Sequence, residues 1–255
     1  MKNYELTLVF FTVFSQMAVG LAVFAAIFGT NSASHAKKVW ATVGAVTLLA
    51  LLVSLLHLGH PLGAPSVLRN LGVAWLSLEG VLGGVFLALA VLTFLKPQGT
   101  LLPHLSALAG IAFVITQGLT YAAEAQPAIN NGIPMLLFAV TAWILGAAGW
   151  QCLKTEKHVS SGLVVGVIVW IASLLVIPTV WTAGGTVMQA SASGWTGSAL
   201  YWGAMALGAV AALAAGKMPK QAYLALVLLL CGSLLGRMVF FGETASAVTF
   251  IGNIL

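Results

Sequence analysis

The chain has 255 residues, 60% of them hydrophobic and 6% charged, with a mean hydropathy of +1.06. A soluble domain carries about a quarter charged residues, so a bilayer rather than water is the expected solvent, and no stretch is left over for a soluble enzyme domain. The formal charge of +5 is that of ten Lys and Arg less five Glu; the cations lie in connections beside apolar segments or, for Arg237, near a segment's end, a placement that sets membrane orientation and argues against nucleic acid as a partner.

Segments of about 20 apolar residues cross a bilayer as helices. Eight such segments follow one another, approximately 4–28, 39–58, 71–95, 104–122, 133–153, 160–182, 197–216 and 221–241. Their apolar runs are continuous rather than alternating, which selects helices over barrel strands. The expected fold is an all-α integral membrane protein with eight transmembrane helices, residues 1–255 forming a single polytopic membrane domain. In the first segment Lys2 precedes an apolar run long enough to span and containing Gln16, so it reads as a retained helix rather than a signal peptide. The second closes on "SLLHLGHP", which places His57 and His60 at the mouth of an apolar segment.

The third segment carries Glu79. With the helix starting near Leu71, that carboxyl stands roughly 12 Å into the membrane, where a charge is costly and marks a functional group by default. Its bland alternative is a protonated glutamic acid hydrogen-bonded to a neighbouring helix. The fourth segment holds Gln117. Cys152 ends the fifth and Cys231 lies inside the eighth, too unlike in position to suggest a disulfide or a metal cluster. Between the sixth and seventh, "AGGTVMQASASGW" reads as a connecting loop. The eighth segment carries Arg237 about one turn, roughly 5 Å, from its end, where it either snorkels to the interface or meets a partner. Glu124 and Glu243 are expected just beyond helix ends, where a carboxylate costs little.

Seven lysines (37, 38, 96, 154, 157, 217 and 220) fall on one side of an eight-span layout. That side is expected to be cytoplasmic, with both termini periplasmic, in the inner membrane of a bacterium. His57, Glu79 and Arg237 then come from three helices and converge in the periplasmic half. An imidazole, a buried carboxyl and a cation suit a ligand with carbonyl or hydroxyl groups whose protons are to be removed; Gln16 and Gln117 add hydrogen-bonding groups or serve as interhelix ties. Only His57 among the histidines reaches the edge of a span, so a bis-histidine haem is not expected. No lysine lies deep enough for a Schiff base, and no phosphate loop or catalytic triad is present.

The stretches "FFTVFSQMAVG" (10–20), "SLLHLGHPLGAPSVLRNLGVAWLSLEGVLGGVF" (54–86) and "LLLLCGSLLGRMVFFG" (227–242) resemble the membrane anchor subunit of anaerobic dimethyl sulfoxide reductase in order, spacing and eight-span layout. The resemblance implies a haem-free, menaquinol-oxidising anchor that holds an iron–sulfur electron-transfer subunit and a molybdopterin catalytic subunit at the membrane during anaerobic respiration, with those cofactors only in the partners. It implies that His57 matches the essential histidine and Glu79 the third-span glutamate of that family. The site expected on both grounds is catalytic His57 and Glu79, with Arg237 and Gln16 completing the quinol contacts. The connection "AEAQPAINNG" is shorter than the family's pattern, leaving less surface for partner subunits, and the terminal acceptor stays open. Two readings compete with the quinol one: a proton-coupled permease, whose inverted repeat is not visible in the sequence, and a purely structural anchor.

Overall fold

The computed structural model of the chain describes residues 4–56, 70–154, 157–217 and 221–250. Among these residues there are α-helices and a short 3-10 turn at Ala247–Phe250, and no strand. The helices are α1 (Leu6–Phe28), α2 (Ala33–Leu55), α3 (Trp75–Leu95), α4 (Leu101–Thr120), α5 (Ile133–Leu153), α6 (Lys157–Trp181), α7 (Thr186–Thr196), α8 (Ala199–Lys217) and α9 (Ala222–Glu243). Helices are dictated by the solvent, since each backbone N–H and C=O in hydrocarbon must find its partner within its own segment. Seven of them are long and apolar enough to cross a membrane, and the pair α7–α8, bent by 58°, brings the number to eight when it is counted as one broken span. The end of the bundle at which α1 begins is called the near end below; it also holds the starts of α3 and α5 and the ends of α4 and α9.

Three segments differ from the sequence reading. Helix α2 starts at Ala33, well before residue 39, because the Ser32 hydroxyl oxygen caps it by accepting from the His35 amide at 3.1 Å. Helix α3 starts at Trp75 rather than near Leu71, so Glu79 stands one turn inside it, roughly 6 Å from its start. Residues 183–195, expected as a loop, contain most of α7. Its Gly, Ser and Ala content reads as a breaker in water, yet here tertiary contacts hold it. Trp195 packs edge-on against Trp181 at 4.8 Å and donates Nε1–H to Thr244 Oγ1 at 3.1 Å, and Ser191 Oγ accepts from the Ala245 amide at 3.0 Å. Glu243, expected beyond a helix end, is the last residue of α9 and is buried, with the Tyr4 hydroxyl 3.4 Å away.

Helix α1 is the centre of the packing, touching α2, α4, α5 and α9. Lipid tails are as apolar as leucine, so helices associate in a membrane through close packing and not through the hydrophobic effect; small residues permit the approach. At Gly20 and Gly146 the backbones of α1 and α5 are pressed together: a Cβ on Gly20 would fall on the Ala142 carbonyl and lie 2.9 Å from Gly146 Cα. Gly20→Val is therefore expected to cost more than about 3 kcal/mol, read as loss of the monodisperse peak in detergent size-exclusion chromatography. Gly44, with nothing within 4 Å of a Cβ, is the control: Gly44→Ala leaves the peak intact and raises the melting temperature slightly.

Candidate functional site

Five helices contribute to one buried polar layer towards the near end. Gln16 of α1 and Gln117 of α4 are both fully buried. Arg237 of α9 donates Nη2–H to Gln16 Oε1 at 2.8 Å and to Thr141 Oγ1 of α5 at 3.4 Å. A guanidinium only donates, so Gln16 must turn its oxygen to Arg237 and its amide nitrogen to Gln117. That nitrogen meets Gln117 Oε1 at 3.3 Å, and Gln117 in turn donates Nε2–H to Ser15 Oγ at 2.8 Å. The result is a run of side-chain hydrogen bonds that crosses the bundle from Thr141 through Arg237, Gln16 and Gln117 to Ser15.

Arg237 does not snorkel. It is 4% exposed and lies six residues before the end of α9, roughly 9 Å along the helix. Its guanidinium carbon sits 3.8 Å from the Phe138 ring centroid and 5.6 Å from that of Phe240, so ring faces take the place of water around the cation. Its Nη1 has no protein partner, nor has Ser233 Oγ one helical turn away on α9. Both residues line a cavity of about 20 Å³ shared with Thr141 and Trp195, which is room for a single water able to satisfy both groups.

Glu79 of α3 is 2% exposed and lies beside the Gln117 and Thr120 side chains, yet neither carboxyl oxygen makes a well-formed hydrogen bond. Arg237 gives its bonds to Gln16 and Thr141, so it does not clamp Glu79 directly; the two are joined through Gln16 and Gln117. Tyr121, at the end of α4, is a further member. Its phenol interacts electrostatically with both Glu79 and Arg237, and its ring packs on Phe138 at 5.9 Å and edge-on against Phe241 at 5.3 Å.

Of the residues expected at the site, the structure joins Gln16 to Arg237 and brings Glu79 to the same layer through Gln117. His57 lies outside the described residues, as does His60. Gln117 moves from a generic tie to the junction of the layer. Tyr121 and Thr141 were not singled out in the sequence; a polar residue every few positions in a helix carries no direction, and only the packing shows which of them face one another. Among the described residues no group of three His, Cys, Asp or Glu side chains is placed to hold a metal ion. The layer offers neutral amides, one cation and one unbonded carboxyl in a buried setting. Such a set can hydrogen-bond a carbonyl or hydroxyl and hold a proton at the carboxyl.

Comparison with known proteins agrees with the resemblance in the sequence. Residues 1–194 match the model of the family described as DMSO reductase anchor subunit (DmsC). The C subunit of anaerobic dimethyl sulfoxide reductase from Haemophilus influenzae is 31% identical over 151 residues, covering 54% of this chain and 54% of that protein. The anaerobic dimethyl sulfoxide reductase subunit YnfH of Escherichia coli is 28% identical over 272 aligned positions, covering 94% of each. With the family model covering well over half of a helical, multi-span chain, the protein belongs to the DMSO reductase anchor subunit family.

Proposed function

We propose that the chain is the haem-free, quinol-oxidising membrane anchor of a molybdenum-containing oxidoreductase of the dimethyl sulfoxide reductase type. The observation that carries this reading is the buried layer itself. Glu79, Gln117, Gln16 and Arg237 bring a carboxyl, two amides and a cation together in an apolar interior, at a cost that packing alone does not repay. Quinol binds at the near end with its hydroxyl groups against this layer. His57, at the same end of α2 by sequence position, accepts a hydroxyl proton, and Glu79 receives or relays it. Arg237, with Gln16 fixing its fork, stabilises the negative charge that develops on the quinol oxygen.

The electrons leave for an iron–sulfur cluster in a docked electron-transfer subunit, and a molybdopterin subunit reduces the terminal acceptor. The quinol is a menaquinol, bound as an exchangeable substrate; the protein supplies position, hydrogen bonds and proton acceptors. The near end faces the periplasmic side of a bacterial inner membrane, because the lysine-bearing connections lie at the other end. The exposed near-end surface formed by α7, residues 122–131 and residues 244–250 is cross-braced and suits partner docking. Ala247 N–H donates to the Ala125 carbonyl at 2.7 Å, and Gln126 Nε2–H to the Thr244 carbonyl at 3.3 Å.

Substitutions separate chemistry from folding. His57→Ala is expected to lower quinol oxidation by at least about 100-fold, the scale of lost general-base catalysis, while the partners stay on the membrane and turn over with an artificial donor supplied to them directly. Equal loss of both activities would assign His57 to folding. Glu79→Gln keeps shape and removes the ionisable proton: turnover falls about tenfold or more, thermal stability is kept or raised, and quinol-site inhibitors still bind. Unchanged quinol oxidation across pH would leave Glu79 a structural group. Arg237→Lys keeps the charge and loses the planar fork, so the KM for quinol rises while the melting temperature drops by a few degrees.

The energetics are tested on the whole complex in proteoliposomes. Protons released at the near end are matched by those consumed in reducing a sulfoxide on the same side, so turnover moves almost no net charge across the bilayer. A voltage-sensitive dye is expected to stay silent during quinol-driven reduction; a sustained, ionophore-sensitive potential would overturn the sidedness or the site.

A further inference from the structure

An apolar groove of about 350 Å³ opens between α4 and α5, with α1 as its floor. Val19, Gly20 and Val23 of α1 form the floor, Ile111 and Ile115 of α4 one wall, and Trp143 of α5 the other. Ile111 and Ile115 are more than 40% exposed, so the groove is open towards lipid. At its near end it is closed off. There α4 and α5 cross at Gly118, where a Cβ would lie 2.7 Å from Met135 Cα.

The groove ends one helical turn short of the polar layer. Val19 and Gly20 follow Gln16 by one helical turn, Val114 precedes Gln117 by one turn, and Ala142 follows Thr141 in sequence. Hydrogen-bonding groups therefore stand about one helical turn beyond the closed end of an apolar channel whose open side faces hydrocarbon. A phospholipid is built the other way, with its polar head at the water interface and its acyl ends buried. The crossing at Gly118 and Met135 closes only the straight path from the near-end interface, so the lateral opening is the way in.

We infer that this groove binds the polyprenyl tail of the quinol, seated with its head towards the Gln16–Gln117 end and its tail running away from the near end between α4 and α5. The inference rests on the quinol reading above. It adds a lateral route by which the substrate reaches the layer from the bilayer, beneath the α4–α5 crossing. The volume falls within the range usual for small-ligand sites. Because lipid tails are as apolar as the groove, only packing favours the prenyl tail, and the gain in affinity is modest.

The test compares a tail-less naphthoquinol with its prenylated counterpart, using membranes that carry the whole complex and dimethyl sulfoxide as acceptor. The wild type is expected to show a KM lower by about fivefold for the prenylated quinol, the scale of a packing gain without a hydrophobic one. Ala139→Phe, which fills the groove, and Ile115→Trp, at a lipid-exposed position where bulk is tolerated in folding, each bring the two KM values together. Leu213→Trp, on the lipid-facing surface of α8, keeps them apart. A prenylated quinol bearing a diazirine on its tail is expected to label the peptide spanning Ile111 and Ile115, with protection by prenylated quinol and none by phospholipid. Equal KM values in the wild type, or equal protection by phospholipid, would overturn the tail site while leaving the quinol reading intact. Oxidation of neither quinol by a wild-type complex that reduces dimethyl sulfoxide from an artificial donor would overturn both.

Discussion

A guanidinium in hydrocarbon cannot discharge its proton, so everything around Arg237 is arranged to replace the water it has lost. Gln16 gives it an oxygen at 2.8 Å, Thr141 a second acceptor, and Phe138 a ring face. These demands propagate. Once the Gln16 oxygen is committed to Arg237, the Gln16 nitrogen must seek an acceptor, which fixes Gln117, whose own nitrogen then needs Ser15. One cation thereby sets the orientation of two amides and the mutual rotation of α1, α4 and α9. It does so without a carboxylate partner, which leaves Glu79 uncommitted beyond Gln16 and Gln117.

That uncommitted carboxyl is where stability and activity part company. Pairing Glu79 with Arg237 would satisfy two buried groups at once, yet it would leave a neutral site with little to offer a substrate. In the observed arrangement both retain unused bonding capacity: Arg237 at Nη1 and Glu79 at both oxygens. On the quinol reading proposed above such a compromise has a purpose, since an anchor that merely held its partners would gain from replacing these residues by apolar ones.

Most of the architecture was legible because the bilayer imposes it. Continuous apolar runs of the required length left no alternative to helices, and α1, α5 and α9 lie close to the expected segments. Boundaries failed where local chemistry competes with hydropathy. Ser32 caps α2 through a polar stretch that hydropathy assigns to a loop, and α3 begins at Trp75 although residues before it are apolar. Helix α7 was missed because its glycine and serine content signals a turn in water, whereas Trp195 and Ser191 secure it through contacts to residues about 50 positions away. At the site, cost in hydrocarbon singled out Glu79 and Arg237, and both are buried. The link between them was not legible, since glutamines are as common in interhelix ties as in binding sites and nothing in the spacing of Gln16 and Gln117 announces that they meet.

The glycine contact between α1 and α5 also determines what is free to move. With Gly20 set against Ala142 and Gly146, the two helices have no cushion of side chains over which to slide. If the groove is the way in, as proposed above, access to the Gln16–Gln117 junction depends on its other wall. Helix α4 packs closely on α3 and meets α5 tightly at Gly118 beside Met135. That meeting point is a natural fulcrum: a small tilt of the α3–α4 hairpin about it would draw Gln117 away from Gln16 and carry Glu79 with it. On the proposed quinol reading, substrate entry and the placement of Glu79 would then be a single mechanical event, with α1 and α5 standing still.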